Sequence, residues 1–182
     1  MQGPAPFSNR LLQHTQFVTI IAHMEDVFNV IAELSIPYEL LTHPAVFTVE
    51  EADIHMSDME AGKTKNLFVR NKKKTQYYLL VVESTKRINL KEVSQQLQES
   101  NLSFASPEDL HKYLGITPGS VSPFGLIHDT EKKVHVVIDS DIMTYERVGF
   151  HPNINTQTVI LSSEDFKKYL ESTGNGVQYM KL

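Results

Sequence analysis

The strongest constraint on the fold is an apolar run of six residues, YYLLVV, from Tyr77 to Val82. A run of this kind is typical of a strand in the interior of a β-sheet. Just before it, the stretch from Gly62 to Lys74 carries six of the 17 basic residues of the chain. The pattern predicts a strand over 66–70, a hairpin turn over 71–75 and the buried strand over 76–82. The basic stretch is then either a solvated turn or a segment that brings one lysine to the mouth of a pocket.

The composition limits the classes of function. The chain has 182 residues, of which 41% are apolar and 21% charged, enough for one soluble domain with a substantial core. The formal net charge of -5 argues against non-specific nucleic-acid binding, so any such contact is local and DNA is not an expected partner. The absence of cysteine excludes disulfides, thiolate metal sites and a cysteine nucleophile.

No segment suits a membrane span or an export signal. The apolar run from Phe17 to Ala22 is too short to cross a bilayer, and Arg10 is the only early base. We therefore expect a cytoplasmic protein without a membrane partner. Residues 1–23 contain two prolines and no acidic residue, and we expect a leader or extension there, followed by one domain over 24–182.

Helix and strand signals alternate along the rest of the chain. Apolar residues recur at helical spacing over 27–34 until Pro37 stops the helix, and a short strand follows over Tyr38–Thr42. Caps and alternation predict helices from Thr48 to about Met59, from Asn89 to about Gln98, from Ser106 to Gly115 and from Ser162 or Ser163 through Leu170, and strands over Val134–Asp139, Thr158–Leu161 and Val177–Lys181. This order predicts an α+β fold, a single domain with a mixed, mostly antiparallel β-sheet flanked by helices.

Several common site chemistries lack their motifs. Eight histidines invite a metal hypothesis, but none forms an H-E-x-x-H motif or a structural zinc spacing, so we predict no metal and no cofactor. No G-x-S-x-G elbow supports a Ser-His-Asp triad. The segment from Gly115 to Ser120 lacks the lysine of a phosphate-binding P-loop.

Three segments carry candidate chemistry, and each has a simple structural alternative. Lys65 precedes a predicted strand and either meets a phosphate or ribose or is a solvated strand-end lysine. The loop from Gly115 to Gly125 either presents backbone N–H groups to a carbonyl or carboxylate or is a connecting turn. His151 precedes Pro152 and lies in a loop, either as a functional group or as a surface histidine.

These segments occur together in an order that is more informative than any one of them. The chain contains, in order, YELLTHPAVFTVEE, KTKNLFVRNKK, LGITPGSVSPFGLIHDTEKKVHVVID and FHPNINTQTV. They resemble the opening strand, the lysine strand, the G-x-x-x-P loop with its hairpin, and the histidine segment of one family. That family is the YbaK and prolyl-tRNA synthetase-associated domain, most closely its freestanding prolyl-tRNA editing deacylases. The resemblance runs from about Met24 to Lys181.

The resemblance implies hydrolysis of the ester in mischarged Ala-tRNA-Pro, without a metal and without a covalent enzyme intermediate. By position, the catalytic residues of the family correspond to Lys65, Gly119 and His151. The substrate-binding residues correspond to Asn66 and to the loop residues Ser120, Val121, Ser122 and Pro123. The implied partners are the acceptor end of a mischarged tRNA and prolyl-tRNA synthetase, and the lysines from Lys72 to Lys74 become the solvated turn.

Two alternatives remain open at this point. One is hydrolysis of another mischarged tRNA, such as Cys-tRNA-Pro. The other is a catalytically silent module that docks on a synthetase or on tRNA. For the editing reaction we expect proline to be excluded sterically, with Val121 in one wall of the pocket and Leu40 and Val46 in the opposite wall.

Overall fold

The computed structural model describes residues 26–45 and 61–182. The helix expected from Thr48 to about Met59, the extension over residues 1–23 and the expected wall residue Val46 lie outside these ranges. The domain boundary at residue 24 therefore stays a prediction. In the part of the chain that the structure describes, no helix is long and apolar enough to cross a membrane.

The described chain forms eight strands and four α-helices. The strands are β1 (Glu39–Thr42), β2 (Thr64–Asn71), β3 (Tyr77–Glu83), β4 (Leu102–Phe104), β5 (Val134–Asp139), β6 (Arg147–Phe150), β7 (Gln157–Ser162) and β8 (Val177–Met180). The helices are α1 over residues 26–33, α2 (Leu90–Gln96), α3 (Pro107–Leu114) and α4 (Ser163–Thr173), with 3-10 turns at η1 (Pro123–His128) and η2 (Ser140–Thr144).

The central sheet has five strands in the order β4-β2-β3-β5-β8. The β2–β3 hairpin is antiparallel, and β4 adds antiparallel to β2. β3 pairs parallel with β5, which pairs parallel with β8. The apolar run of β3 therefore lies at the centre of the sheet, and all its residues from Tyr77 to Val82 are buried, as the sequence predicted.

The turn between β2 and β3 is held by one side chain. The Asn71 amide oxygen accepts hydrogen bonds from the backbone N–H groups of Thr75 and Gln76, at 3.0 and 3.3 Å. The intervening lysines from Lys72 to Lys74 are exposed. This part of the basic stretch is thus a solvated turn, as predicted.

A second sheet of three antiparallel strands, in the order β1-β7-β6, packs beside the first. A single parallel bridge between Gly62 and Val148 joins the two sheets just before β2 begins. The Thr64 hydroxyl adds a hydrogen bond of 3.1 Å to the carbonyl oxygen of Gly149 in β6. These contacts hold the start of β2 against the end of β6.

The core forms on both faces of the central sheet. The larger cluster fills the space between one face, the three-stranded sheet and helices α1, α3 and α4. The smaller cluster packs α2 against the opposite face. The helix caps match the sequence signals: Asn89, Ser106 and Ser162 cap the starts of α2, α3 and α4, and Gly115 ends α3 with a left-handed φ of 67°.

The predicted fold class is confirmed. Four of the six strand pairings are antiparallel and two are parallel, so the sheets are mixed and mostly antiparallel. The strands β4 and β6 and both 3-10 turns were not predicted. β4 has only three residues, too few to show a clear alternation, and β6 has Gly149 in its interior, which is unfavourable in strands.

Candidate active site at a gap in the sheet edge

The candidate site lies where one edge of β2 has no neighbouring strand. β4 pairs with β2 only from Val69 to Asn71. The bridge to β6 is at Gly62, which precedes β2. Among the described residues, no strand pairs with this edge of β2 between Thr64 and Leu67. We call this segment the edge gap.

The backbone of Asn66 faces the edge gap. Within a strand, the N–H and C=O groups of successive residues point alternately to the two edges. The Lys63 carbonyl bonds to Ser84 on the β3 side, whereas the Phe68 carbonyl bonds to Ala105 on the β4 side. Asn66 has the same parity as Phe68, so its N–H and C=O groups point into the edge gap.

The side chain of Asn66 is fixed at one end and open at the other. Its amide Nδ2 donates to the Val121 carbonyl oxygen at 3.0 Å, which joins β2 to the glycine-rich loop. Its Oδ1 is buried and has no hydrogen-bond partner among the residues that the structure describes. A buried acceptor without a partner costs free energy, so an unpaired one next to a loop of constrained shape points to a ligand.

The loop owes its shape to a tight turn. The Ser120 N–H donates to the Thr117 carbonyl at 3.1 Å, with Pro118 and Gly119 between them. Gly119 has a φ of 91°, a left-handed value that glycine adopts without steric cost. A proline followed by a glycine at these two positions is typical of a type II turn. The Ser120 N–H is used within the turn, so it is not available to a substrate.

The five predicted loop residues separate into two groups. Gly119 and Val121 line a cavity at the protein surface. Ser122 is fully buried, and its hydroxyl accepts from the Phe124 N–H at 3.2 Å to cap η1. Pro123 begins η1 and is buried, and its carbonyl accepts from Tyr169 at 3.3 Å. Ser120, at 6% exposure, is also buried. Ser120, Ser122 and Pro123 thus support the loop from below.

The cavity beside the loop has a volume of about 320 Å³. Its lining comes from β2, from the segment that leads into α3, from α3 itself and from the loop: Asn66, Leu67, Phe68, Phe104, Ala105, Ser106, Pro107, Leu110, Pro118, Gly119 and Val121. Leu40, expected as a wall of the pocket, is not among them and is exposed on β1. Residues of the 104–110 segment line this cavity together with the loop.

Lys65 lies on the opposite face of the sheet from the Asn66 side chain. Lys65 pairs with Val82, which belongs to the smaller core, whereas Asn66 pairs with Val81 of the larger core. The Lys65 ammonium donates to the carbonyl oxygen of Ser84 at 2.9 Å and to that of Lys86. The structure therefore brings Asn66, and not the Lys65 side chain, together with the glycine-rich loop.

His151 follows β6 directly and is largely buried. Its Nδ1 lies 2.9 Å from the Gln157 carbonyl oxygen. A carbonyl only accepts, so Nδ1 carries the proton and Nε2 of the neutral ring is an acceptor. Burial lowers the pKa of His151 below 6.5, the Gln157 carbonyl opposes this, and charge on His43 lowers it further. The ring is therefore neutral and able to accept a proton at neutral pH.

A second histidine, His43, stands beside His151 and was not assigned from the sequence. The two ring centroids are 5.8 Å apart. His43 Nε2 lies 3.0 Å from the Thr158 hydroxyl, and its Nδ1 lies 2.8 Å from the Pro44 carbonyl. The sequence does contain a feature that the two histidines share, because each is followed directly by proline.

The edge gap and the histidines adjoin each other through β6. Thr64 bonds to Gly149, and Asn66 and His151 each lie two residues further along these chains. Two residues of extended chain span about 7 Å. The Asn66 amide oxygen and backbone N–H and the neutral imidazole of His151 thus lie on adjoining segments of the chain. In the described part of the chain, no group of three or more His, Cys, Asp or Glu side chains is arranged to hold a metal ion.

Groups of this kind are what a hydrolase uses on an activated ester: donors and acceptors that fix the substrate, and a neutral imidazole for a proton. Comparison with known proteins identifies the family to which this hydrolase-like site belongs. The chain belongs to the aminoacyl-tRNA editing domain family, whose model matches residues 43–169. The expected enzyme class, an aminoacyl-tRNA hydrolase, is confirmed at this level.

Individual relatives agree with this assignment. The chain is 40% identical to the prolyl-tRNA editing protein ProX of Acetoanaerobium sticklandii over 150 residues, 82% of this chain and 92% of the relative. It is 37% identical to the prolyl-tRNA synthetase associated domain-containing protein 1 of Bos taurus, over 80% of this chain and 86% of the relative. A crystal structure of a proposed trans-editing enzyme for prolyl-tRNA synthetase shares the fold, with a TM-score of 0.67 and 22% identity over 88% of this chain and 97% of that one.

Proposed function

We propose that this protein is a trans-acting deacylase that hydrolyses the ester of mischarged Ala-tRNA-Pro. The observation that carries the proposal is the Oδ1 of Asn66, which is buried beside the glycine-rich loop and has no hydrogen-bond partner among the described residues. An aminoacyl ester carries an α-ammonium group next to the reacting carbonyl, and an amide oxygen is a suitable acceptor for it. The name of one relative, the prolyl-tRNA editing protein ProX, supports the choice of tRNA.

The reaction transfers the aminoacyl group to water. Water adds to the ester carbonyl, the bond to the ribose oxygen breaks, and the products are free alanine and uncharged tRNA. We assign Asn66 Oδ1 to the α-ammonium group and the backbone N–H groups of Asn66 and Gly119 to the carbonyl oxygen as it becomes negative. We assign His151 Nε2, unprotonated in the neutral ring, to the attacking water. The ester is already activated, so positioning and charge stabilisation supply most of the effect.

Lys65 receives a separate role in this proposal. An ammonium group has three N–H donors, and the carbonyls of Ser84 and Lys86 use two of them. We assign the remaining donor to a phosphate or ribose of the tRNA, on the face of β2 opposite the Asn66 amide. The lysine then acts as a fixed positive charge at the start of the strand.

The test is a comparison of three charged tRNAs with purified protein. We expect Ala-tRNA-Pro to be deacylated and Pro-tRNA-Pro to be spared, because proline is too large for the site. Cys-tRNA-Pro is the decisive third substrate, because faster cleavage of it would replace alanine by cysteine as the amino acid removed. No cleavage of any of the three would favour a silent binding module.

The proposed partners follow from the substrate. The enzyme binds the acceptor end of tRNA and serves translation in the cytoplasm. A link with the synthetase has a separate, weaker support. Over 71 residues the chain is 31% identical to a Schizosaccharomyces pombe protein described as a proline–tRNA ligase, of which this segment is 10%.

A further inference from the structure

We propose that the cavity next to the edge gap is a subsite for the terminal nucleobase of the tRNA, with Phe104 as its stacking surface. This inference rests on the proposed function, because it names the part of the same substrate that lies beyond the ester. Its starting point is an exposed aromatic side chain: Phe104 is 61% exposed at the end of β4 and lines the cavity.

The cavity has the surface that a base requires. Phe104, Pro107, Leu110 and Pro118 contribute apolar surface to its lining. Every nucleobase has two apolar faces, and single-stranded ends are commonly bound by stacking on aromatic side chains. The two prolines restrict the backbone on both sides, which favours a slot that is formed before the substrate arrives.

The hydrogen-bonding groups lie at the other end of the cavity. Asn66 lines the cavity, and its backbone N–H and C=O groups face the unpaired edge of β2. The Asn66 N–H is assigned to the ester carbonyl, so the base is bound by stacking on Phe104 and by the apolar lining.

The spacing suits one nucleoside. Phe104 pairs with Val69, which is three residues along β2 from Asn66. Three residues of strand span about 10 Å. The ester and the base lie at opposite ends of the same terminal nucleoside, so a base on Phe104 leaves the ester near Asn66 and the loop. The cavity and the reacting site are therefore two halves of one groove.

The kinetic test compares two short substrates: the alanyl ester of the trinucleotide CCA, and the same ester with the terminal base removed. In the wild type we expect base removal to raise KM on the order of tenfold. In Phe104→Leu, which keeps an apolar side chain but cannot stack, base removal should have little further effect. Phe104→Tyr should behave as the wild type. An equal cost of base removal in the wild type and in Phe104→Leu would overturn the proposal.

The matched control is Tyr179→Leu. Tyr179 is 46% exposed and lies on β8, at the opposite edge of the same sheet. It is an exposed aromatic residue far from the groove, so its replacement should leave the cost of base removal at the wild-type value. A loss of base dependence in this variant as well would show a general effect of surface aromatic residues, and would overturn the assignment to Phe104.

A binding test does not depend on catalysis. The chain has no tryptophan, so Phe104→Trp introduces a single fluorescent reporter at the proposed stacking surface. We expect uncharged CCA to quench this fluorescence at a concentration at least several-fold lower than CC with an abasic end. Equal quenching by the two oligonucleotides would overturn the subsite, even if the wild type proved inactive on charged tRNA. Inactivity alone, with base-dependent quenching, would instead count against the proposed function and leave the subsite supported.

Discussion

Two asparagines on β2, the half-buried Asn66 and the buried Asn71, use the same side chain for different purposes. Asn71 uses both ends of its amide: Oδ1 accepts from Thr75 and Gln76, and Nδ2 donates to Thr75 and to Glu99. In the described part of the chain, Asn66 bonds through Nδ2 alone, and its buried Oδ1 has no partner there. The first arrangement stabilises a turn, whereas the second leaves an acceptor for a ligand. The contrast provides a pair of variants that separates stability from function.

For Asn66→Ala we expect kcat/KM on Ala-tRNA-Pro to fall by about tenfold to a hundredfold, because a hydrogen bond to a charged group is worth about 1.5–3 kcal/mol. The free energy of unfolding should change by about 1 kcal/mol or less, since one hydrogen bond is lost together with an unsatisfied oxygen. For Asn71→Ala we expect a loss of about 1–3 kcal/mol in stability and an unchanged rate per folded molecule. Urea denaturation and single-turnover deacylation measure the two quantities. The reverse pattern would remove Asn66 from the site.

The histidine pair gives a prediction for pH. Burial, and then charge on His43, lower the pKa of His151 below 6.5, so the neutral ring persists as the pH falls through 6.5. The acidic limb of the kcat profile should therefore have its midpoint below 6.5. In His43→Gln one cause of the lowering is gone, and the midpoint should rise towards 6.5. Deacylation measured between about pH 5 and 8, corrected for spontaneous hydrolysis, gives both midpoints. A midpoint that does not move, or moves down, would disconnect His43 from His151.

At the scale of elements, the site is made by where strands stop. β4 ends at Phe104, and the bridge to β6 is at Gly62, before β2 begins. The edge gap exists because neither β4 nor β6 pairs with residues 64–67. Nothing in the sequence of β2 itself encodes that gap, and the short strands β4 and β6 were the two that periodicity missed. The long elements were predictable because caps and apolar runs mark them, as Ser106 and the Tyr77–Val82 run show.

The strand also limits what the adjacent residues Lys65 and Asn66 could predict about the site. Sequence resemblance located both positions, but adjacent residues in a strand point to opposite faces. The sequence could therefore predict which positions carry candidate site residues. Which of these side chains lie on the same face, and so in the same pocket, could be seen only from the sheet of the folded structure. His43 escaped because its partner His151 is more than a hundred residues away and reaches it only through the pairing of β1 and β6 with β7.

Lys65 connects two elements, because its ammonium on β2 binds the carbonyls of the segment after β3. We expect Lys65→Ala to reduce deacylation by more than tenfold while the protein stays folded. Lys72→Ala should have little effect, because this exposed lysine lies in the β2–β3 turn and is surrounded by solvent. Deacylation rates and circular dichroism of the two variants are the measurements. Equal losses in both, or no loss in either, would contradict a functional role for Lys65.

At the scale of the whole molecule, the glycine-rich loop is fixed on two sides, next to the site to which we assign the ester. On its core side, the loop is held by the cap at Ser122 and by the Tyr169 hydroxyl, which donates to the carbonyls of Pro123 and Phe124. On the side of β2, the Val121 carbonyl accepts from the Asn66 amide. A loop fixed on two sides excludes by size, because it cannot move aside for a larger substrate. This is the property an editing enzyme needs, since binding strength alone cannot favour the smaller amino acid.

Val121 is the residue that tests this size limit. Val121 lies where the cavity meets the reacting site, because its backbone carbonyl holds Asn66 and its side chain lines the cavity and packs on the larger core. Val121→Ala therefore enlarges the reacting site at the loop without removing the hydrogen bond. We expect the ratio of the deacylation rate on Pro-tRNA-Pro to that on Ala-tRNA-Pro to rise by about tenfold, because space for one methylene group is worth about 1–3 kcal/mol.

Val177→Ala is the control, since Val177 is also half-buried against the larger core but lies on β8. The wild type must discriminate strongly for the test to have meaning: similar rates on both tRNAs would rule out steric exclusion. A rise in Val177→Ala equal to that in Val121→Ala would attribute the change to a loosened core rather than to the pocket wall.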